Sequence, residues 1–184
     1  MSPTGSGPDE SVSLDFESLV GRYYTSLYKF AFSLTQAEAD ACDLTQQTFY
    51  IWATKGHQLR DANKVKTWLF TTLHREFLET RRRHTRFPHY ELSQVDLELP
   101  TVSPARVNQL DSGGVMHALR QVDEVYQAPV ALFYLQDCSY KDIAEILEVP
   151  MGTVKSRIAR GIAQLHRILT GSDTAQKSQE ETGD

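Results

Sequence analysis

Three groups of side chains have types and spacings suited to binding a charged partner. Between Met151 and Thr170 there are four Lys/Arg and no Asp or Glu, and Thr153, Lys155, Ser156, Arg157 and Arg160 crowd the start of this stretch. Guanidinium is a planar fork that can grip a guanine edge or a phosphate, and hydroxyls and ammonium groups pair with phosphate oxygens. Between Arg60 and Tyr90, eight Lys/Arg stand against three acids. Here Arg60, Asn63, Lys64, Lys66, Trp68, His74, Arg75, Arg81, Arg82 and Arg83 combine cations with an amide and aromatic rings, the types that track a strand backbone and hold unstacked bases. By contrast, Thr35–Tyr50 carries three acids and no Lys/Arg. Asp40, Asp43, Gln46 and Gln47 would there offer carboxylates and amides to a basic helix.

Each group also has a plainer reading. Trp68 falls in an apolar stripe and reads first as core, and His74 reads first as a packing or surface residue. Arg81–Arg83 also suit a cationic helix end, favoured by the helix dipole. The acidic stretch also suits a solvated helix face.

The elements that would position these groups are helical. Phe16, Leu19, Val20, Tyr23, Leu27, Ala31 and Leu34 recur at three- and four-residue steps. A second helix is expected over about 37–54, with Leu44, Thr48, Ile51 and Trp52 inward. After a loop over Lys55–Asn63, a third is expected over 65–84, with Val65, Trp68, Leu69, Leu73 and Phe77 inward. Residues 14–86 form one bundle-like module on this reading. Residues 87–112 contain Pro88, Pro100 and Pro104 and read as a flexible, mostly extended linker. The second module starts near Gly113, with short helices about Val115–Val122 and Pro129–Gln136; Val130, Phe133 and Tyr134 are expected to be buried. A capping-box-like Ser139–Asp142 opens a helix over 140–147. Glu148-Val149-Pro150 makes a turn, and the last helix runs over 151–169. Ala144 is the small residue expected where these two helices cross. Residues 1–13 and the acidic tail 171–184 read as disordered. The fold class is all-α: two small helical domains joined by a linker.

Composition excludes several classes. The net charge of −5 hides the segregation just described, and local field governs attraction to phosphate because screening cuts interactions beyond about 8–10 Å. No apolar run nears the roughly 20 residues that cross a bilayer, and residues 1–13 lack the make-up of a signal peptide. Cys42 and Cys138 stand alone, which fits a reducing compartment and a cytoplasmic location without direct membrane insertion. The six His form no HExxH, and no phosphate loop, GxSxG or GxGxxG occurs, so no enzyme activity, cofactor or metal is expected.

The string Ile143-Ala144-Glu145-Ile146-Leu147, Val149-Pro150, Gly152-Thr153-Val154-Lys155-Ser156-Arg157 resembles the promoter-reading helix-turn-helix of the extracytoplasmic-function (group 4) bacterial sigma factors. Glu148 stands where that family usually has glycine; a left-handed Glu costs about 1 kcal/mol. Asp40-Ala41-Cys42-Asp43-Leu44-Thr45-Gln46-Gln47-Thr48-Phe49 is similar to the family's acidic segment, with Cys42 and Gln47 each replacing a common acid. Val65 to Arg83 resembles its minus-ten helix, although Glu76 and Thr80 stand where the family often has Asn and Asp. The resemblance covers nearly all of residues 14–170. It implies sigma domain 2 over 14–86 and domain 4 over 113–170. It implies Asp40, Asp43, Gln46 and Gln47 as contacts to core RNA polymerase (β′ clamp helices, with the β subunit as a further partner). It further implies minus-ten DNA contacts from Arg60 to Arg83, minus-thirty-five contacts from Thr153 to Arg160, and an anti-sigma factor as partner. Two other readings stay open: a helix-turn-helix regulator that binds duplex DNA without acting as a sigma factor, and a helical adaptor that binds no DNA.

Overall fold

A computed structural model describes the backbone of residues 15–86 and 113–180 and the side chains of 15–83 and 114–171. The expectations for residues 1–13 and 87–112 lie outside the described residues. Every regular element described is helical: α1 Phe16–Thr35, α2 Glu38–Lys55, α3 Val65–Arg86, α4 Gly113–Arg120, α5 Glu124–Gln136, α6 Tyr140–Leu147 and α7 Met151–Glu180. Two 3-10 turns, Gly56–Gln58 and Ala62–Lys64, lie within the loop between α2 and α3.

Local chemistry sets the helix ends. The Asp15 carboxylate accepts from the Ser18 amide at 3.1 Å, a side-chain N-cap, and Glu17 follows in the first turn of α1. Glu38 and Asp40 occupy the first turn of α2 and Lys55 its last, both complementary to the helix dipole. Gly56 follows the last residue of α2, and a Cβ there would lie 2.6 Å from the Trp52 ring, so no larger residue fits without a shift. In α6, the Ser139 hydroxyl accepts from the Asp142 amide at 3.2 Å while the Asp142 carboxylate accepts from the Ser139 amide at 3.2 Å, completing the capping box.

The first module is built from α1–α3. Leu27, Phe30, Ala31, Phe49, Leu69, Phe70 and Leu73 are fully buried. Tyr24 stacks on Phe49 with centroids 6.2 Å apart, and Phe30 tilts against Phe70 at 5.4 Å. The buried hydroxyls of Thr45 and Thr48 donate to the carbonyls of Ala41 and Leu44, so they enter the core satisfied. In the second module, α5 and α7 cross at Gly161, where an added Cβ would collide with Val130 and approach Tyr126 Cβ to 3.0 Å. Gln164 on α7 pins the start of α5: its amide oxygen accepts from the Asp123 amide at 2.9 Å, and its Nε2 donates to the Asp123 carboxylate at 2.6 Å.

Several expectations need correction. Helix α5 begins at Glu124, more than a turn before Pro129, and carries that proline inside it, where the missing N–H leaves the Val125 carbonyl without its intrahelical donor. Tyr134 is 51% exposed and Phe133 only half-buried, because packing selects the face through Val130 instead. Ile51 is only half-buried. A further small residue, Gly161, lies at the close crossing of α5 and α7, while Ala144 in α6 is half-buried and packed against the core. Helix α7 continues to Glu180, beyond the expected end at Leu169 and into the stretch read as a disordered tail.

The modules also lie against one another and share one buried core. Helix α1 packs on α5, and α3 on α6. The Arg120 guanidinium sits 4.4 Å over the Phe32 ring, tying α4 to α1. A cavity of about 240 Å³ remains between the modules, lined by Phe77 and Leu78 on one side and by Val125, Pro129 and Leu147 on the other, with His74 and Arg157 at its wall.

Candidate nucleic-acid interface

The turn between α6 and α7 has the geometry a helix-turn-helix needs. Glu148 adopts the left-handed region (φ 55°, ψ 43°), and the Val149 amide donates to Ala144 O at 3.1 Å. Pro150 O then accepts from the amides of Thr153 and Val154 at 2.9 and 3.1 Å, starting α7 at once. Buried Ile143, Ile146 and Leu147 meet Val154 and Ile158, which fixes the second helix of the pair against the first. Lys155, Ser156 and Arg160 are thereby exposed and Thr153 half-buried; the Ser156 hydroxyl donates to Thr153 O at 3.0 Å. Arg157 departs from its expected outward position. It lies three residues after buried Val154, on the flank of the apolar stripe, and faces the cavity between the modules.

The cations of the first module are drawn toward the second. Lys64 Nζ lies 2.7 Å from a Glu145 carboxylate oxygen, and this partner holds the Lys64 ammonium above its usual range. Arg75 grips Glu148 in a fork: Nη2 reaches Oε1, and Nε reaches Oε2 at 3.3 Å. The pairing raises the arginine and lowers the glutamate. Arg81 pairs with Glu124. Lys66 Nζ donates to the last carbonyl of α5, Gln136 O, at 2.5 Å. His74 is half-buried beside Glu148 and Arg157; burial pushes its imidazole down to about 4. Trp68 packs edge-to-ring on Trp52 at 5.0 Å, in keeping with its place in the apolar stripe. Arg60, Asn63 and Arg82 are exposed, and Arg83 pairs with Glu79 within α3.

The acidic group lies on the exposed side of α2. Asp40, Asp43 and Gln47 are exposed and Gln46 half-buried, while Ala41, Leu44, Thr45 and Thr48 face the core. Partial desolvation and then the neighbouring Asp40 raise Asp43 above the ordinary carboxylate range. Glu76 of α3 is held above the ordinary carboxylate range by partial desolvation and then by Glu79, and Gln47 of α2 works against that rise.

Glu124, Glu145, Glu148 and Gln136 were not singled out in the sequence for these contacts. Their partners lie 43, 81, 73 and 70 residues away, so no local spacing marks them.

An all-helical pair of modules, one carrying an acidic face beside a basic helix and the other a helix-turn-helix, defines a transcription initiation factor of the sigma class. The family models for Sigma-70 region 2 and Sigma-70 region 4 match residues 19–87 and 113–165. The chain is 30% identical over 176 residues to the ECF RNA polymerase sigma factor SigE of Mycolicibacterium smegmatis, covering 92% of this chain and 68% of that one. It is 27% identical over 160 residues to the RNA polymerase sigma factor YlaC of Bacillus subtilis, covering 85% and 92%. Among solved structures, the sigma factor RpoE of Bartonella quintana, crystallised with the anti-sigma factor NepR, superposes with a TM-score of 0.68 at 26% identity, over 85% of this chain and 97% of that one. The chain belongs to the ECF RNA polymerase sigma factors. It directs promoter-specific transcription initiation and is not itself an enzyme.

Proposed function

We propose that α2 docks core polymerase through Asp40, Asp43, Gln46 and Gln47 on the β′ clamp helices, with the β subunit as a further contact, while α3 and α7 take the two promoter elements. Arg60, Asn63, Lys64, Lys66, Trp68, His74, Arg75 and Arg81–Arg83 serve the minus-ten element. Thr153, Lys155, Ser156, Arg157 and Arg160 serve the minus-thirty-five element. On this reading residues 14–86 and 113–170 act as domains 2 and 4, joined by 87–112, in the cytoplasm. Among the described helices none is long and apolar enough to cross a membrane.

The observation that carries the reading is the exposed Lys155, Ser156 and Arg160 at the start of a helix that follows a tight left-handed turn. That is the placement that delivers side chains to a major groove. Strand opening consumes about 1–2 kcal/mol per base-pair step, and cations along the displaced backbone together with a surface for splayed bases offset it. An anti-sigma factor is the proposed regulator; the resemblance to a sigma factor crystallised with such a partner supports this.

The test is reconstituted transcription. Core polymerase plus this chain should initiate from a selected promoter, and Asp40→Lys with Asp43→Lys should abolish association with core. Initiation that survives the double charge reversal would remove α2 as the docking face.

A further inference from the structure

Four of the cations assigned to minus-ten DNA, Lys64, Lys66, Arg75 and Arg81, already have partners in the free chain that come from the helix-turn-helix module. Lys64 meets Glu145, Arg75 forks onto Glu148, Arg81 meets Glu124, and Lys66 caps the carbonyl end of α5. A carboxylate takes a guanidinium through the same two-pronged geometry as a phosphate. The two partners therefore exclude each other at Arg75. A second observation concerns the backbone. Glu148 sits at φ 55°, where glycine would be unstrained, and its side chain is exposed apart from the Arg75 fork. No core contact accounts for a glutamate there; the fork does.

We propose that Glu148, with Glu145, is an intramolecular latch whose carboxylates stand in for backbone phosphates on α3, holding the free chain closed to minus-ten DNA. The proposal rests on the reading of α3 as the DNA face. Each pair is exposed and therefore individually weak, so the latch is shallow and yields to a polyanion or to polymerase drawing the modules apart. Closure and promoter engagement are thus alternative uses of the same row of cations.

The test uses the full chain with Glu145→Gln and Glu148→Gly. Glycine suits the left-handed turn, so the variant keeps its helix-turn-helix, as circular dichroism will verify. Small-angle scattering should show a larger radius of gyration than the parent. Fluorescence anisotropy with a forked minus-ten oligonucleotide should show affinity about 3- to 10-fold higher, the worth of two exposed pairs. The swap Arg75→Glu with Glu148→Arg should restore the compact radius. Unchanged dimensions in the first variant, or expansion with no gain in affinity, would overturn the latch. The DNA-face reading fails separately, if Lys64→Ala with Arg75→Ala leaves polymerase-dependent initiation intact; the scattering result does not depend on that outcome.

Discussion

Lys66 and Gln136 join the two modules through one residue. The lysine ammonium donates to the main-chain oxygen of Gln136, and the Gln136 side chain donates to Ser26 O at 3.0 Å. A buried glutamine thus serves α1 and α3 at once from the end of α5. A cation at a helix C-terminus is also favoured by the helix dipole. Gln136→Leu fills the space but removes the second donor to the Ser26 carbonyl, which lies within α1. It should lower unfolding stability by about 0.5–1.5 kcal/mol, read as a shifted urea midpoint.

His74 gives the packing of the modules a pH dependence. Burial lowers its pKa from 6.5 to about 4; Glu148 opposes the shift and Arg157 reinforces it. The hydrogen bond and charge of Arg75 also hold Glu148 below the ordinary carboxylate range. A lowered histidine favours the folded state only while neutral. Its contribution is complete above pH 6.5 and is lost as pH falls toward 4, where the unfolded chain binds the proton first. Stability should fall by up to about 3 kcal/mol across that window for this residue. His74→Gln should remove that part of the slope, measured by denaturant titration at several pH values. Superimposable pH profiles for the two proteins would refute it.

Two glycines of α7 should respond oppositely to the same substitution. Gly161→Ala places a methyl into Val130 and Tyr126 and should destabilise the second module by about 1–3 kcal/mol. Gly152→Ala meets nothing within 4 Å and should gain up to about 1 kcal/mol in helix propensity. Thermal unfolding of both variants checks the contrast.

Lys155 and Arg160 are exposed on α7. If they contact phosphates, Lys155→Ala should weaken upstream promoter binding across sequences and reduce the salt dependence of log K by about 1. If Arg160 instead reads a base, Arg160→Ala should cost about 1–3 kcal/mol at one position only. Binding isotherms over a range of salt, on matched and mutated promoter fragments, separate the two roles.

The helices of both modules were legible because their apolar residues recur at helical spacing and their ends carry local signals, as at Ser139–Asp142 and Glu148. The strained turn could be read from a single residue in the place of a glycine. What could not be read was tertiary. Tyr134 and Phe133 are adjacent, and only the direction from which α1 packs on α5 decides that Tyr134 points outward. Arg157 belongs by spacing to the flank of α7, and its turn toward His74 depends on the other module being present. The ion pairs across the cleft link residues that share no local pattern, so the candidate site was visible as chemistry but not as a set of contacts.

The Trp52–Trp68 pair has a practical consequence. These are the only two tryptophans in the chain, they touch edge-to-ring, and both belong to the first module. Tryptophan emission, excited selectively over tyrosine, therefore reports directly on α2 and α3 and has no fluorophore in α7. With Trp68 partly exposed next to the loop before α3, the protein carries its own optical probe for a nucleobase arriving there. No dye need be attached to watch that step in stopped flow.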